Sequence, residues 1–217
     1  TFPVMVKPCD GSGSRGAARV DKAEQLAEAC KNAISVSITH RAEVETFIVG
    51  KEYGAETLVV NGKANVLCLM QKWMTKPPYY AELGHAIPTD LPQEIEERAK
   101  HCVENAIKAL GVNFGSVNMD MLITTEGKIH IIDIGARMGG NMIGACIVPY
   151  GTGVDYMANM IRNAVGDTVD LTPDKKSAVA TRLLAFRGGI VKQLPDFKSI
   201  EKEYGVEIYH HLEVGQR

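Results

Sequence analysis

The chain has 217 residues, 45% hydrophobic and 23% charged, which suits one large or two small folded domains and excludes a disordered chain. Lys and Arg number 24 against 26 Asp and Glu, so the formal charge of −2 supplies no basic stripe for nucleic acid. No apolar run reaches the length of a membrane span.

In chain order, the apolar run 2–7 predicts a strand, followed by a flexible loop of Asp10, Gly11, Ser12, Gly13, Ser14, Arg15 and Gly16. Residues 17–20 predict a returning strand. Asp21 and Glu24 have the spacing of a capping box, opening a helix to about residue 35 with Ala23, Leu26, Ala27, Cys30 and Ile34 on one face. A strand over 43–49 is closed by Gly50. Residues 53–60 and 63–72 predict a hairpin about Asn61-Gly62, the strongest short hairpin signal. Lys76, Pro77 and Pro78 break the chain. A helix over about 93–110 follows Leu91-Pro92 and stops at Gly111. Residues 113–124 and 128–134 predict a second hairpin about Glu126-Gly127, and 133–153 is glycine-rich and irregular. A helix over 154–165 stops at Gly166. From about Ala178, strands near 179–186 and 206–214 flank a short helix near 197–204. The pattern is α+β, dominated by hairpins rather than βαβ units.

Five dispersed cysteines without paired spacing predict reduced thiols, no zinc site and a cytoplasmic protein. The chain has no initiator Met and no signal peptide, and it enters a strand at once, so a piece of a longer chain is expected.

Three segments carry chemistry. Gly11, Gly13 and Gly16 match the spacing of a dinucleotide-binding loop, but that loop needs a helix directly after it, and the helix cap falls at Asp21, five residues too late. The loop is therefore expected to join antiparallel strands as a flap over phosphates, its backbone N–H groups cradling an anion with help from Ser12, Ser14 and Arg15. Lys7 can pair with phosphate as a point charge. Glu45 and Glu52 flank a strand with a glycine kink, a hinge at which backbone meets an adenine edge and a carboxylate meets ribose. Asp120 and Asp133, thirteen residues apart across one hairpin, fall almost opposite each other, and two such carboxylates suit Mg²⁺. Arg137 suits a phosphoryl group, and Gly139-Gly140 lets substrate approach backbone N–H groups.

In this order, the strand of Val4, Met5, Val6, Lys7 and Pro8 with its glycine loop, Glu45 with Glu52, and Asp120 with Asp133 and Arg137 resemble the ATP-grasp superfamily. The nearest likeness is to its carboxylate–amine ligase branch, which includes carbamoyl-phosphate-synthase-like proteins; the stretch from Glu82 through His85 to Pro88 and the segment 151–155 share it. The resemblance implies an ATP-grasp fold: a lid subdomain over 1–50, a central subdomain over 51–172 and a truncated small C-terminal lobe over 173–217, without the family's N-terminal domain. It implies that Lys7 binds ATP phosphate under a lid of Gly11, Ser12, Gly13, Ser14 and Gly16. The backbone of Thr46 and Ile48 meets adenine with Glu45 nearby, and Glu52 binds ribose. Asp120 and Asp133 hold Mg²⁺, Arg137 stabilises the acyl-phosphate transition state, and His85 and Asn141 are candidates to face the substrate.

The implied activity is an ATP- and Mg²⁺-dependent ligase that joins a small-molecule carboxylate to an amine, with no nucleic-acid or membrane partner and with a homodimer allowed. Two departures keep alternatives open. Asp133 stands where the family more often has Glu, and Gly135 where it often has Asn, which favours one metal ion over two. They also leave room for a non-catalytic nucleotide-binding domain with a degenerate metal site, beside the carbamoyl-phosphate-synthase-like alternative.

Overall fold

The computed structural model describes residues 1–77, 80–186 and 188–216, so Pro78 of the expected chain break lies outside the described residues. Two compact units divide at residues 183 and 184.

The first unit holds two sheets. β1 (Val4–Pro8) lies between β2 (Ala18–Val20) and β3 (Ala42–Thr46) in a three-stranded antiparallel sheet. The glycine loop thus joins two antiparallel strands, as its late helix cap predicts. Helix α1 (Leu26–Val36) packs on this sheet, and Val6, Val20 and Ala33 form a small core with Leu26, Ala29 and Cys30. This face is rotated from the expected one: Ala23 and Ala27 are exposed, and Ile34 is half exposed. The predicted capping box is also corrected. The Asp21 carboxylate turns to Arg19 at 2.7 Å, and Gln25 caps instead, its Oε1 accepting from the N–H groups of Asp21 and Lys22.

The larger sheet contains β4 (Lys51–Val60), β5 (Lys63–Met74), β6 (Glu82–Ile87), β7 (Gly115–Ile123), β8 (Ile129–Gly135) and β9 (Val179–Ala180), in the order β8-β7-β4-β5-β6-β9. The β4–β5 turn has Asn61 at φ 50° and Gly62 at φ 78°, two left-handed residues as a tight hairpin requires. β4 alternates with period two. Tyr53, Ala55 and Val59 join the core under α2 (Gln93–Ala109), which buries Ala99, Val103 and Ile107 at successive turns. Leu58 belongs to a second core on the opposite face, with Met70, Ile143 and Ile147. Helices α3 (Val148–Thr152) and α4 (Tyr156–Val165) follow, with the Asp155 carboxylate capping α4 by accepting from the Ala158 N–H at 2.9 Å.

Sequence patterning assigns no element to 82–87, yet the structure makes it β6, paired with β5 and β9. Gly84 permits this: a Cβ there would lie 2.1 Å from the Thr181 carbonyl oxygen. Of the strand expected near 179–186, only Val179–Ala180 forms. In the second unit, α5 (Phe197–Tyr204) matches the expected helix. The expected strand near 206–214 is not formed, and the chain instead returns to bond Val191 N–H to Gln216 O at 2.9 Å. No helix among the described residues is long and apolar enough to cross a membrane.

Candidate functional site

A cleft of about 1370 Å³ in the first unit is lined by both sheets. The three-stranded sheet supplies Lys7, Glu45 and Thr46, and the loops next to it Gly11, Ser12, Gly13, Ser14 and Ile48. The larger sheet supplies Glu52, His85, Asp120 and Asp133, and the glycine-rich segment after it Arg137 and Asn141. Two residues singled out from sequence do not line the cleft: Gly139, whose N–H is bonded to Glu56 and so is not offered to a substrate, and Gly16. The missing side chain of Gly16 faces α1, where a Cβ would lie 2.5 Å from Val36.

Period-two geometry explains the floor. Glu52 and Gly54 on β4, Met70 and Lys72 on β5, and Asn118 and Asp120 on β7 are same-parity positions, and all line the cleft. Asp120 pairs with Asp133 across the β7–β8 ladder and with Gly54 across β4–β7. A Cβ on Gly54 would stand 3.3 Å from the flexible end of Met70, while Asp120 at 3.7 Å and Lys72 at 3.8 Å lie at ordinary packing distance.

The charged centre is one that sequence reading missed. Lys72 is almost fully buried, with its Nζ 2.9 Å from Glu52, 2.9 Å from Asp120 and in a closer contact with Glu82. Glu52, Glu82 and Asp120 offer oxygens that all lie within 4.8 Å of one another, so the ammonium occupies the middle of a three-carboxylate cluster. Burial pushes the Glu52 and Asp120 carboxyls upward against the pull of Lys72. Glu82, the most exposed of the three, is also pushed up by burial, but Lys72, His85 and Arg137 hold it below the usual range. Burial lowers Lys72 in its turn, and the three carboxylates outweigh it to raise its pKa. Burial drives His85 down to about 4, so its imidazole is neutral near pH 7. Asn141 donates to Glu82 through its side-chain amide.

Lys7 faces the opposite wall. It pairs with Glu45 at 2.9 Å and Glu43 at 3.4 Å and donates to the Ile132 carbonyl of β8 at 2.7 Å, tying the two sheets together. Partial burial lowers it, and the two glutamates outweigh that and raise its pKa. At the cleft mouth, Ser14 donates to the Tyr80 carbonyl at 2.7 Å, and Arg19 lies 4.5 Å over the Phe47 ring. Arg137 is exposed and donates to the Met138 carbonyl at 3.0 Å.

A cleft with cations on opposite walls, a glycine flap and hard oxygen donors can hold a polyphosphate and a small acid. A sequence model of the ATP-grasp domain matches residues 1–145. Uncharacterized protein y4rH of Sinorhizobium fredii is 29% identical over 193 residues, covering 87% of this chain and 39% of that protein. The D-alanine–D-alanine ligase of Cupriavidus metallidurans is 24% identical over 185 residues, covering 80% of this chain and 55% of the ligase. The chain thus spans about half or less of these relatives. In fold it resembles an L-amino acid ligase from Bacillus licheniformis, with a TM-score of 0.82 at 24% identity, over 99% of this chain and 53% of that one.

Proposed function

The chain belongs to the ATP-grasp family, and from that premise we propose that its parent protein is an ATP-dependent ligase that joins a carboxylate to an amine. The observation that carries this reading is the gathering of the glycine loop, Lys7, Asp120, Asp133 and Arg137 in one cleft. Lys7, preset by Glu45, meets ATP phosphate, and the N–H groups of Gly11, Ser12, Gly13 and Ser14 close over it. The backbone of Thr46 and Ile48 meets adenine, and Glu52 meets ribose from its place against Lys72.

Asp120 and Asp133 fit a divalent ion by their chemistry: both are carboxylates, directly opposite in register, and Asp133 helps raise Asp120 by like-charge repulsion. Bound there, Mg²⁺ would supply charge that offsets the phosphate oxygens.

In the first step a substrate carboxylate oxygen attacks the γ-phosphorus, the β–γ bridging bond breaks, and ADP leaves. In the second, the amine nitrogen bonds the acyl carbon, the carbon–phosphate oxygen bond breaks, and phosphate leaves with the electron pair while the amine proton passes to solvent. Arg137 offsets the charge on the phosphoryl group, and His85 and Asn141 orient the acid, His85 as a neutral imidazole.

A second reading has one observation in its favour. Lys72 already neutralises Asp120, so a nucleotide-binding domain without turnover is compatible with the cleft. Calorimetry with MgATP and ADP release with pairs of L-amino acids, both on the full-length parent, separate the two. Binding with turnover supports the ligase, binding alone the second reading, and no ATP binding ends both. Asp120→Ala and Asp133→Ala should each abolish turnover, and activity that survives both refutes the metal assignment.

A further inference from the structure

Glu56 lies outside the cleft lining, and its carboxylate is fully buried. It takes donors from three separate elements: Tyr156 Oη at the start of α4 at 2.8 Å, Asn118 Nδ2 on β7 at 3.0 Å, and the Gly139 N–H at 3.1 and 3.2 Å to its two oxygens. Gly139 sits so close that a Cβ would lie 2.8 Å from both Glu56 Oε2 and Asn118 Nδ2. Met138 and Gly140, on either side of Gly139, do line the cleft, as do Arg137 and Asn141 two residues away in each direction. The segment that carries the cleft's guanidinium and amide is therefore pinned from beneath at its middle.

We propose that Glu56 is a positioning residue: by holding the Gly139 N–H it fixes the segment 137–141 and so sets Arg137 and Asn141 against the reacting groups. The assignment of a catalytic consequence rests on the ligase reading above. Burying a carboxyl is costly unless donors meet it, and here the donors come from α4, β7 and the cleft-lining segment. The cost here is visible, since burial drives Glu56 up to about 7 against the pull of Tyr156, Gly139, Asn118 and Arg137. Tyr156 and Asn118 hold the carboxylate from α4 and β7, and both of its oxygens are within reach of the Gly139 N–H, at the middle of a segment whose neighbours line the cleft.

The test uses the full-length parent with Glu56→Ala, Glu56→Gln and Gly139→Ala. Amide hydrogen exchange over 136–142 should rise about tenfold or more in Glu56→Ala while the three-stranded sheet keeps its protection. MgATP affinity by calorimetry should stay within about threefold, while kcat for ADP release with L-amino acid pairs falls about tenfold to a hundredfold. Glu56→Gln should recover most of both losses, because its amide oxygen still accepts from the Gly139 N–H. Unchanged exchange in Glu56→Ala, a loss confined to KM, or no recovery in Glu56→Gln overturns the proposal. If Glu56→Ala does not fold, Gly139→Ala decides: the same rise in exchange supports it, and native protection of 136–142 overturns it. A wild type that binds no ATP ends the ligase reading, and the exchange comparison still decides whether Glu56 holds the segment.

Discussion

Lys7 in the three-stranded sheet and Lys72 in the six-stranded sheet both face the cleft, and both are gripped by glutamates. Lys7 is half-buried, and its partners Glu43 and Glu45 are well exposed. Lys72 has 1% of its side chain exposed, and its partners Glu52, Glu82 and Asp120 have 17%, 31% and 20%. An ion pair near water is weak because water screens it and side-chain entropy opposes it. A buried one is hard to remove because a lone charge is left behind without solvent. The same residue type thus sits in two settings: Lys7 is paired with exposed glutamates near water, where the proposed function has it meet an anion, and Lys72 is buried at the centre of three carboxylates.

Lys72→Met gives the largest expected effect. Three clustered carboxylates lose their common counter-charge, so the stability loss should be about 3–5 kcal/mol by urea unfolding. A loss below about 1 kcal/mol would place Lys72 with the surface pairs and break the contrast.

Protonation sharpens it next. His85 titrates near 4 when folded and near 6.5 when unfolded, so between those values the unfolded chain binds more protons. His85 should therefore cost stability as pH falls from about 6.5 to about 4, by a few kcal/mol in all. Glu56 has the opposite sign: raised to about 7 from 4.5, it makes the folded chain bind more protons, so its contribution weakens as pH rises from 4.5 to 7. Difference curves of wild type against His85→Gln and against Glu56→Gln, from unfolding at each pH, isolate the two slopes. Slopes of equal sign would contradict the assignment.

Lys7→Ala should cost less than about 1 kcal/mol of stability, since its partners are exposed. MgATP affinity by calorimetry should fall about tenfold or more, given that charge-assisted phosphate contacts are the strong ones. Stability loss equal to that of Lys72→Met would erase the distinction between the two sheets.

The smallest effect tests the local fold of the small sheet. Gln25→Ala should cost about 0.5–1 kcal/mol in thermal unfolding, and Glu24→Ala close to nothing. A reversed order would restore the capping box read from Asp21 and Glu24.

The legible parts of the site were local. Lys7 ends a short strand before a run of glycines, and the position of the helix cap shows that the run is a hairpin flap. Asp120 and Asp133 were legible because a hairpin about Glu126-Gly127 fixes which residues face each other, and the register places them opposite. Lys72 was not, because at the end of an alternating strand it reads as a solvated residue. Its burial depends on β6, whose pairing to β5 and β9 no local pattern announces. Glu56 was hidden inside an apolar-looking strand, although one signal was available. Glu52, Gly54 and Glu56 share parity on β4, so a carboxylate on the cleft side of Asp120's neighbour strand should have directed attention to the same face.

The sequence by itself determined the two hairpins of the larger sheet, the helix stops at Gly111 and Gly166, the opposed aspartates and the antiparallel strands around the glycine loop, because turn chemistry and periodicity act over a few residues. The three-stranded and six-stranded sheets had to meet before Lys7 could reach the Ile132 carbonyl. Only the tertiary structure decided which charges are buried: the cluster around Lys72, the neutral His85 and the carboxylate under Gly139. Burial is a property of what covers a residue, and the covering segments here lie far away in the chain, 83 residues from Glu56 to Gly139. Electrostatic energy depends on that cover far more than on the residue's own neighbours in sequence.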